Sequence, residues 1–167
     1  MTEIEIPASL PRLEIAGRNY PIKRKSIQNF LKKIEINVAG CWIWKASKNW
    51  RGYGQFSCNS QNVSAHRFSY ICFIGKIEEG KVLDHVVCDN RACVNPYHLK
   101  QATIGENVLR GIGPAGINNR KTHCLEGHPL SEKNLITQTS SRNKALIWRG
   151  CKICKLNRQR ERRCRQR

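Results

Sequence analysis

Residues 84–107, DHVVCDNRACVNPYHLKQATIGEN, hold Asp84-His85, then Cys88, Cys93 and His98, then Asn107 within 24 positions. Zinc binds soft or borderline donors about 2.0–2.3 Å away, so its ligands must be brought close together. Cys88-x4-Cys93-x4-His98 supplies three such donors at that spacing. A structural zinc would pin a loop too irregular to be held by backbone hydrogen bonds alone. His85 lies just outside the cluster, where it can do chemistry rather than bind metal. One short stretch thus carries both a structural metal site and a reactive histidine.

The first site needs a fourth ligand. Cys41 is the choice, because Gly40-Cys41-Trp42-Ile43-Trp44 is a turn-to-strand context and strand pairing can bring it to the loop; Cys72 is the fallback. Further on, Cys124-x3-His128 and Cys151-x2-Cys154 form a second set, with 22 residues between the pairs. A lone CxxC is ambiguous with a redox motif. The upstream Cys/His pair turns it toward zinc. His123 is an alternative to His128 as ligand. Burial as small apolar side chains is the other common fate of cysteines. Cys58 and Cys164 have no evident partners and are expected to be free thiols.

Nine cysteines in 167 residues is an odd count, which argues against a fully paired disulfide framework. The 40% apolar content permits a modest core of the kind that leans on metal. Met1-Thr2-Glu3-Ile4-Glu5 lacks the basic start and apolar run of a signal peptide, and no apolar run is long enough to span a bilayer. The expected compartment is intracellular and reducing, where cysteines bind metal. Thirty Lys+Arg against 12 Asp+Glu give a net charge of +18. Such an excess calls for a polyanionic partner, most simply nucleic acid. No long amphipathic basic stretch suggests a membrane surface.

Residues 1–22 hold three prolines and are expected to form an extended arm or edge strand. Ile27, Phe30, Leu31 and Ile34 recur at helical spacing over 24–36, with Ser26 as N-cap. Residues 41–70 are β-rich: Trp42–Trp44 is one strand, 52–57 another, and 63–65 returns after a turn at 58–62. A helix over 66–74 stops at Gly75. Lys81-Val82-Leu83 is a short strand entering a loop at Asp84-His85, and Pro96–Leu99 a tight turn. Thr103-x-x-Glu106 is a capping box opening a helix through Asn107. Residues 111–116 form a breaker-rich linker. From Arg142 onward the chain carries eleven basic residues and one acid, Glu161. The expected organisation is an arm and helix (1–39), a core with the first zinc site (40–112), a second zinc unit (113–157) and a basic tail (158–167). The fold class is α+β, zinc-stapled, with antiparallel strands and few helices.

Three ordered motifs carry a resemblance: Ala65-His66-Arg67-Phe68-Ser69-Tyr70; Gly80-Lys81-Val82-Leu83-Asp84-His85; and Cys93-Val94-Asn95-Pro96-Tyr97-His98-Leu99 followed by Glu106-Asn107-Val108. Upstream, Gly40–Trp44 and Gly52-Tyr53-Gly54-Gln55-Phe56 extend it. The chain resembles the HNH endonucleases of the His-Me finger (ββα-metal) superfamily, especially phage- and intron-encoded ones. Its zinc spacing is similar to that of the His-Cys box homing endonucleases, which carry two structural zincs. The resemblance spans roughly residues 40–155. It implies a ββα-metal nuclease in which His85 is the general base, and Asp84 and Asn107 bind one catalytic divalent ion, Mg²⁺. It also implies an arginine near the cleaved phosphate, for which Arg51 and Arg67 are candidates. Asn95 would order the zinc-loop turn.

On this basis the chain is expected to be a metal-dependent, site-specific DNA endonuclease with two Zn²⁺ and one Mg²⁺, acting on double-stranded DNA. A β-ribbon around 42–65 would enter the major groove, where base pairs are distinguishable. Lys45, Lys48, Asn49, Arg51, Gln55, Asn59 and Gln61 have side chains suited to base or phosphate contact. Trp42, Trp44 and Trp50 are expected to fill the core. His66 is expected to be a packed helix histidine. The basic tail is either solvated and disordered or adds phosphate contacts. A homodimer would cut both strands of a near-palindromic site. The alternative is a zinc-containing DNA-binding protein without catalysis, which needs neither His85 nor Asn107. RNA binding ranks last, since no stacking-aromatic motif of an RNA module is present.

Overall fold

A computed structural model describes residues 4–15, 18–139 and 147–166, with backbone only for Ile15, Arg18 and Ile147. Met1–Glu3 and the basic Arg142, Lys144 and Arg167 lie outside the described residues. The chain is a mixed α+β protein of short antiparallel strand pairs, dividing into two units, Met1–Thr103 and Ile104–Arg167.

The first unit opens with β1 (Arg12–Ile15) and β2 (Arg18–Pro21), paired antiparallel with Leu13 opposite Tyr20. Helix α1 (Arg24–Leu31) follows and buries Ile27 and Phe30, three positions apart on one face. The helix expected through Ile36 stops at Leu31. Ile34–Ile36 instead forms β3, pairing antiparallel with β4 (Trp42–Trp44). Alternating β-branched residues opposite a Trp-Ile-Trp strand favour the pleated arrangement over the helical one. The N-cap is Lys23 rather than Ser26, whose own amide donates to the Lys23 carbonyl at 2.9 Å.

Strands β5 (Gln55–Cys58) and β6 (Gln61–Ser64) make a two-residue hairpin. Its turn residues Asn59 and Ser60 have φ of 51° and 61°, the left-handed pair that matches strand twist. Helix α2 (Ala65–Phe73) packs back on this hairpin and ends before Gly75 at φ +139°. The core is aromatic: the Phe30 ring lies 5.1 Å from both Trp44 and Phe68, and Phe56 lies 4.6 Å from Phe68. Gly54 is required there, since a Cβ would fall 2.6 Å from the Trp44 ring. Trp42 and Trp44 fill the core as expected, whereas Trp50 is 87% exposed.

β7 (Lys81–His85) pairs antiparallel with β8 (Leu99–Thr103). The expected loop at Asp84-His85 is strand instead, because Asp84 is opposite Lys100 and His85 opposite Leu99. The 13 residues between the strands contain Cys88, Cys93 and His98.

In the second unit, α3 (Ile104–Arg110) begins directly after Thr103, as its capping-box pattern requires. The stretch expected as a linker starts a helix, α4 (Pro114–Arg120), with Pro114 in the first turn, where a missing N–H costs nothing. Arg120 donates to the Leu109, Arg110 and Gly111 carbonyls at the end of α3. Arg149 donates to the Asn118 and Lys121 carbonyls at the end of α4. β9 (Leu135–Thr139) and β10 (Ile147–Cys151) pair antiparallel and lead into α5 (Lys152–Arg165). The residues 158–165, expected as a tail, therefore continue a helix that begins at the second cysteine pair. Among the described residues of this unit, Cys151 is the single buried apolar side chain. A unit with so little apolar burial needs another source of cohesion.

Candidate functional site

Cys41, Cys88, Cys93 and His98 converge so that their donor atoms all lie within 4.8 Å of one another. The His98 Nδ1 is 3.6 Å from Cys41 Sγ and 3.7 Å from Cys93 Sγ. A tetrahedral zinc with bonds of about 2.0–2.3 Å separates neighbouring donors by roughly 3.5–3.8 Å, so three thiols and one imidazole fit the ion. Backbone pairing makes this possible. Trp44 N–H donates to the Ala92 carbonyl at 2.9 Å and Val94 N–H to the Trp42 carbonyl at 2.8 Å, laying residues 92–94 along β4 beside Cys41. Three asparagines then shape the loops. Asn37 Oδ1 accepts from the amides of Ala39 and Cys41. Asn90 Oδ1 accepts from Ala92 N–H. Asn95 Oδ1 accepts from Tyr97 N–H at the turn Pro96–His98, while its Nδ2 donates to the Gly40 carbonyl at 2.7 Å. Cys72, the fallback ligand, is in the apolar core instead.

Burial, with the Cys88 and Cys41 thiols adding to it, pushes the Cys93 thiol up to about 12, and burial also raises Cys88. Both shifts oppose the thiolate form of Cys88 and Cys93 in the absence of a cation. A divalent ion in their midst removes that barrier.

The second quartet is Cys124, His128, Cys151 and Cys154, again with donor atoms within 4.8 Å of one another. Cys124 Sγ is 3.4 Å from His128 Nδ1 and 3.6 Å from Cys154 Sγ. Gly127, at φ +76°, turns the chain so that His128 N–H meets Cys124 Sγ at 3.3 Å. Cys154 N–H meets Cys151 Sγ at 3.5 Å. Burial works against ionising Cys151, but the Cys154 amide and Asn134 outweigh it and bring the thiol down to about 6. His123 is exposed and lies 3.1 Å from Thr122 Oγ1, outside the quartet. Asn134, not singled out by spacing, is buried beside this cluster. Its Nδ2 donates to the Pro129 carbonyl at 2.6 Å and to Cys151 Sγ at 3.4 Å, and its Oδ1 accepts from Ile153 N–H at 3.1 Å.

His85 sits against the first quartet. Its Nε2 is 3.0 Å from the Cys93 carbonyl oxygen. A carbonyl only accepts, so Nε2 carries the proton and Nδ1 is the basic nitrogen of the neutral ring. The His85 ring is 5.7 Å from His66 and 6.2 Å from Tyr53, and Tyr53 is 5.3 Å from His66. His66 is packed in its helix as expected, only 9% exposed, and its Nδ1 has no hydrogen-bond partner among the described residues. Burial, then the neighbouring His85 and Arg67, lower its pKa to about 3, so this ring stays neutral. Consecutive strand residues face opposite sides. Leu83 packs with Tyr70 and His85 with His66, so both face α2, while half-buried Asp84 belongs to the other side. Asn107 stands on α3 in the second unit.

An arginine that spacing did not select also stands beside this group. Arg91 holds its guanidinium 5.8 Å from the Tyr53 ring centre and donates to the Arg51 carbonyl at 3.2 Å. The Arg51 side chain lies over Trp50 at 4.5 Å. Arg67 is exposed on α2, lining a cleft with Arg12, Glu14 and Lys81. Among the residues considered for DNA contact, Lys48 and Gln61 are exposed and Gln55 is half-buried. Lys45 pairs with Glu35 at 2.6 Å. Asn49 Oδ1 accepts from the Arg51 and Tyr53 amides, and Asn59 Nδ2 donates to the Pro21 carbonyl, so both side chains are engaged in shaping turns.

Among the described residues no helix is long and apolar enough to cross a membrane. Neither a protein-family profile nor a solved structure matches the chain. Protein 2.8 of Escherichia phage T7 is 30% identical to it over 123 residues, covering 71% of this chain and 79% of that protein.

Proposed function

The chain belongs to the family of protein 2.8 of Escherichia phage T7, and we propose that it is a metal-dependent DNA endonuclease with His85 as general base. One observation carries the proposal: the hydrogen bond from His85 Nε2 to the Cys93 carbonyl, 3.0 Å. It couples a structural metal cluster to the tautomer and orientation of a histidine whose other nitrogen is basic, as general-base catalysis requires. The succession of β7, β8 and α3, with metal ligands in the connection, supports a ββα-metal arrangement. The net charge of +18 supports a polyanionic substrate.

In this mechanism His85 Nδ1 takes a proton from water as the water oxygen bonds to phosphorus. The bond from phosphorus to the leaving sugar oxygen breaks, and that oxygen takes a proton from a solvent water. Arg91, beside Tyr53, and Arg51 supply positive charge for the phosphate. The resemblance to HNH enzymes gives the positions of Asp84 and Asn107 as those that would hold Mg²⁺, an ion that takes oxygen donors. When bound, such an ion neutralises phosphate charge and stabilises the leaving oxygen.

The test is incubation with supercoiled plasmid and a large genomic library, with and without Mg²⁺, beside His85→Ala. Nicked or linear product that requires both Mg²⁺ and His85 supports the endonuclease, and discrete bands would show specificity. Tight DNA binding with no cleavage of either substrate selects the non-catalytic zinc protein instead.

A further inference from the structure

We infer that α5 is a duplex-anchoring helix, set on the second metal cluster and holding the phosphate backbone through one basic face. The inference rests on the proposal that this chain acts on DNA, and it adds the surface that grips it. Helical spacing places Lys155, Arg158, Arg162 and Arg165 on one side, with Lys152 and Arg163 flanking them. Of the fourteen residues of α5, Cys154 alone is half-buried and the others are exposed. Glu161, the helix's one acid, lies at the edge of this face, three residues after Arg158 and four before Arg165, and Arg160 lies on the opposite side with Ile153.

A merely solvated helix gains from acids three or four positions from its bases. This one has a single acid so placed, Glu161, while Lys155/Arg158, Arg158/Arg162 and Arg162/Arg165 put like charges at those spacings, which repel. A helix of this length is also marginal on its own in water. Two features offset these costs. The first is at the N-terminus, where Cys151 is the N-cap and Cys154 lies in the first turn, both in the quartet. Metal-bound thiolates there would place negative charge at the positive end of the helix dipole. Asn134 completes the attachment, accepting Ile153 N–H on its side chain at 3.1 Å and Lys152 N–H on its carbonyl at 2.9 Å. The second feature is the partner: a row of phosphates turns the repulsive face into the binding face. Lys155 to Arg165 extends about 15 Å along the axis at about 1.5 Å per residue. That is enough to reach both backbones across a major groove about 12 Å wide. α5 carries no aromatic side chain on which unpaired bases could stack, which favours a duplex over a single strand.

The test uses the full zinc-loaded chain without Mg²⁺, binding a short duplex of mixed sequence across a salt series. The variant K155Q/R158Q/R162Q/R165Q keeps good helix formers, and circular dichroism checks that its helix content is retained. Its affinity is expected to fall by at least about tenfold, with a log-affinity against log-salt slope shallower by about 3.6, since each of the four lost phosphate contacts removes about 0.9. R158K/R162K/R165K should bind like the parent, because charge rather than the guanidinium fork is in use. Unchanged affinity and slope in the quadruple Gln variant would overturn the inference. So would an equal loss of affinity for the single strand, which would remove the duplex assignment. Failure of the DNA reading itself is distinct, for then the parent binds no duplex at all. Failure of the nuclease reading alone leaves binding and its dependence on α5 intact while no substrate is cut.

Discussion

His85 donates its Nε2 proton to the carbonyl oxygen of Cys93, 3.0 Å away, so a ligand of the first metal cluster sets the tautomer of the histidine beside it. A base held this way loses its aim if the loop around Cys93 is released. His85→Ala is expected to lower cleavage by about 10²–10⁴-fold with DNA affinity unchanged. Cys88→Ser, which touches no reacting atom, is expected to lower cleavage as well, even in excess Mg²⁺. Plasmid nicking measured beside duplex binding checks both. Full cleavage by a chain whose first cluster is empty would sink the coupling.

The quartets predict two zinc ions per chain. Cys41→Ser is expected to leave about one, whereas Cys72→Ala keeps both, because Cys72 belongs to the apolar core. Counting zinc released to a chromophoric chelator separates the outcomes. Retention of both ions by Cys41→Ser, with loss by Cys72→Ala, would transfer the fourth ligand to Cys72.

Both quartets were legible in sequence because metal ligation imposes spacing, and the loop-bound ligands recur within a few residues of each other. Even Cys41, 47 residues before Cys88, could be named from its turn-to-strand setting. Less legible was what depends on pairing partners. Ile34 to Ile36 continues a helical pattern locally and becomes β3 only because β4 lies opposite. Asp84 and His85 read as loop until Leu99 and Lys100 pair with them. Arg91 sat inside the decisive stretch, but its relation to Tyr53 is one of space alone. The basic tail looked featureless because its like charges disfavour a helix, which α5 nevertheless forms from the cluster outward.

His66 predicts a pH dependence. Its folded pKa, about 3, lies well below the ordinary 6.5. As pH falls through 6.5, the unfolded chain takes up the proton first and is favoured. The stability tied to the neutral ring is therefore complete above about pH 6.5 and is lost progressively toward pH 3. At pH 5 the loss is about 2 kcal/mol, at about 1.36 kcal/mol per pKa unit. His66→Gln has no such titration. The difference between parent and His66→Gln in denaturant unfolding should shrink by that amount between pH 7 and pH 5, with any acid-driven loss of zinc common to both. A difference that stays constant with pH would show that His66 is not held neutral.

Gly54 predicts a steric cost in the aromatic core. A Cβ there would fall 2.6 Å from the Trp44 ring and 3.0 Å from the Ala65 Cβ, with α2 and β4 leaving no slack on either side. Gly54→Ala is expected to destabilise the first unit by about 1–3 kcal/mol, the range for overpacking. Ordinary relief of unfolded-chain entropy acts in the opposite direction and is smaller. A lower unfolding midpoint with unchanged zinc content is the expected result, and a stabilised variant would mean that the Trp44 ring has room to move.

Asn134 predicts a dependence of the second cluster on one amide. The side chain is buried and joins the Pro129 carbonyl, the Cys151 sulfur and the first turn of α5. Its unit has almost no apolar core to hold these segments together if the amide is removed. Asn134→Ala strands at least one buried polar partner, at about 1–3 kcal/mol. Partners that orient metal ligands typically change affinity by about 10–100-fold, so zinc at the second cluster should bind weaker by that order. Asn134→Asp keeps an acceptor for Ile153 N–H but loses the donor to Cys151 and adds negative charge beside the thiolates. It should therefore bind zinc no better than Asn134→Ala. Competition with a chelator of known affinity, in chains whose first cluster is intact, measures this directly. If both variants hold two zinc ions as tightly as the parent, Asn134 orders the α5 turn without supporting the metal.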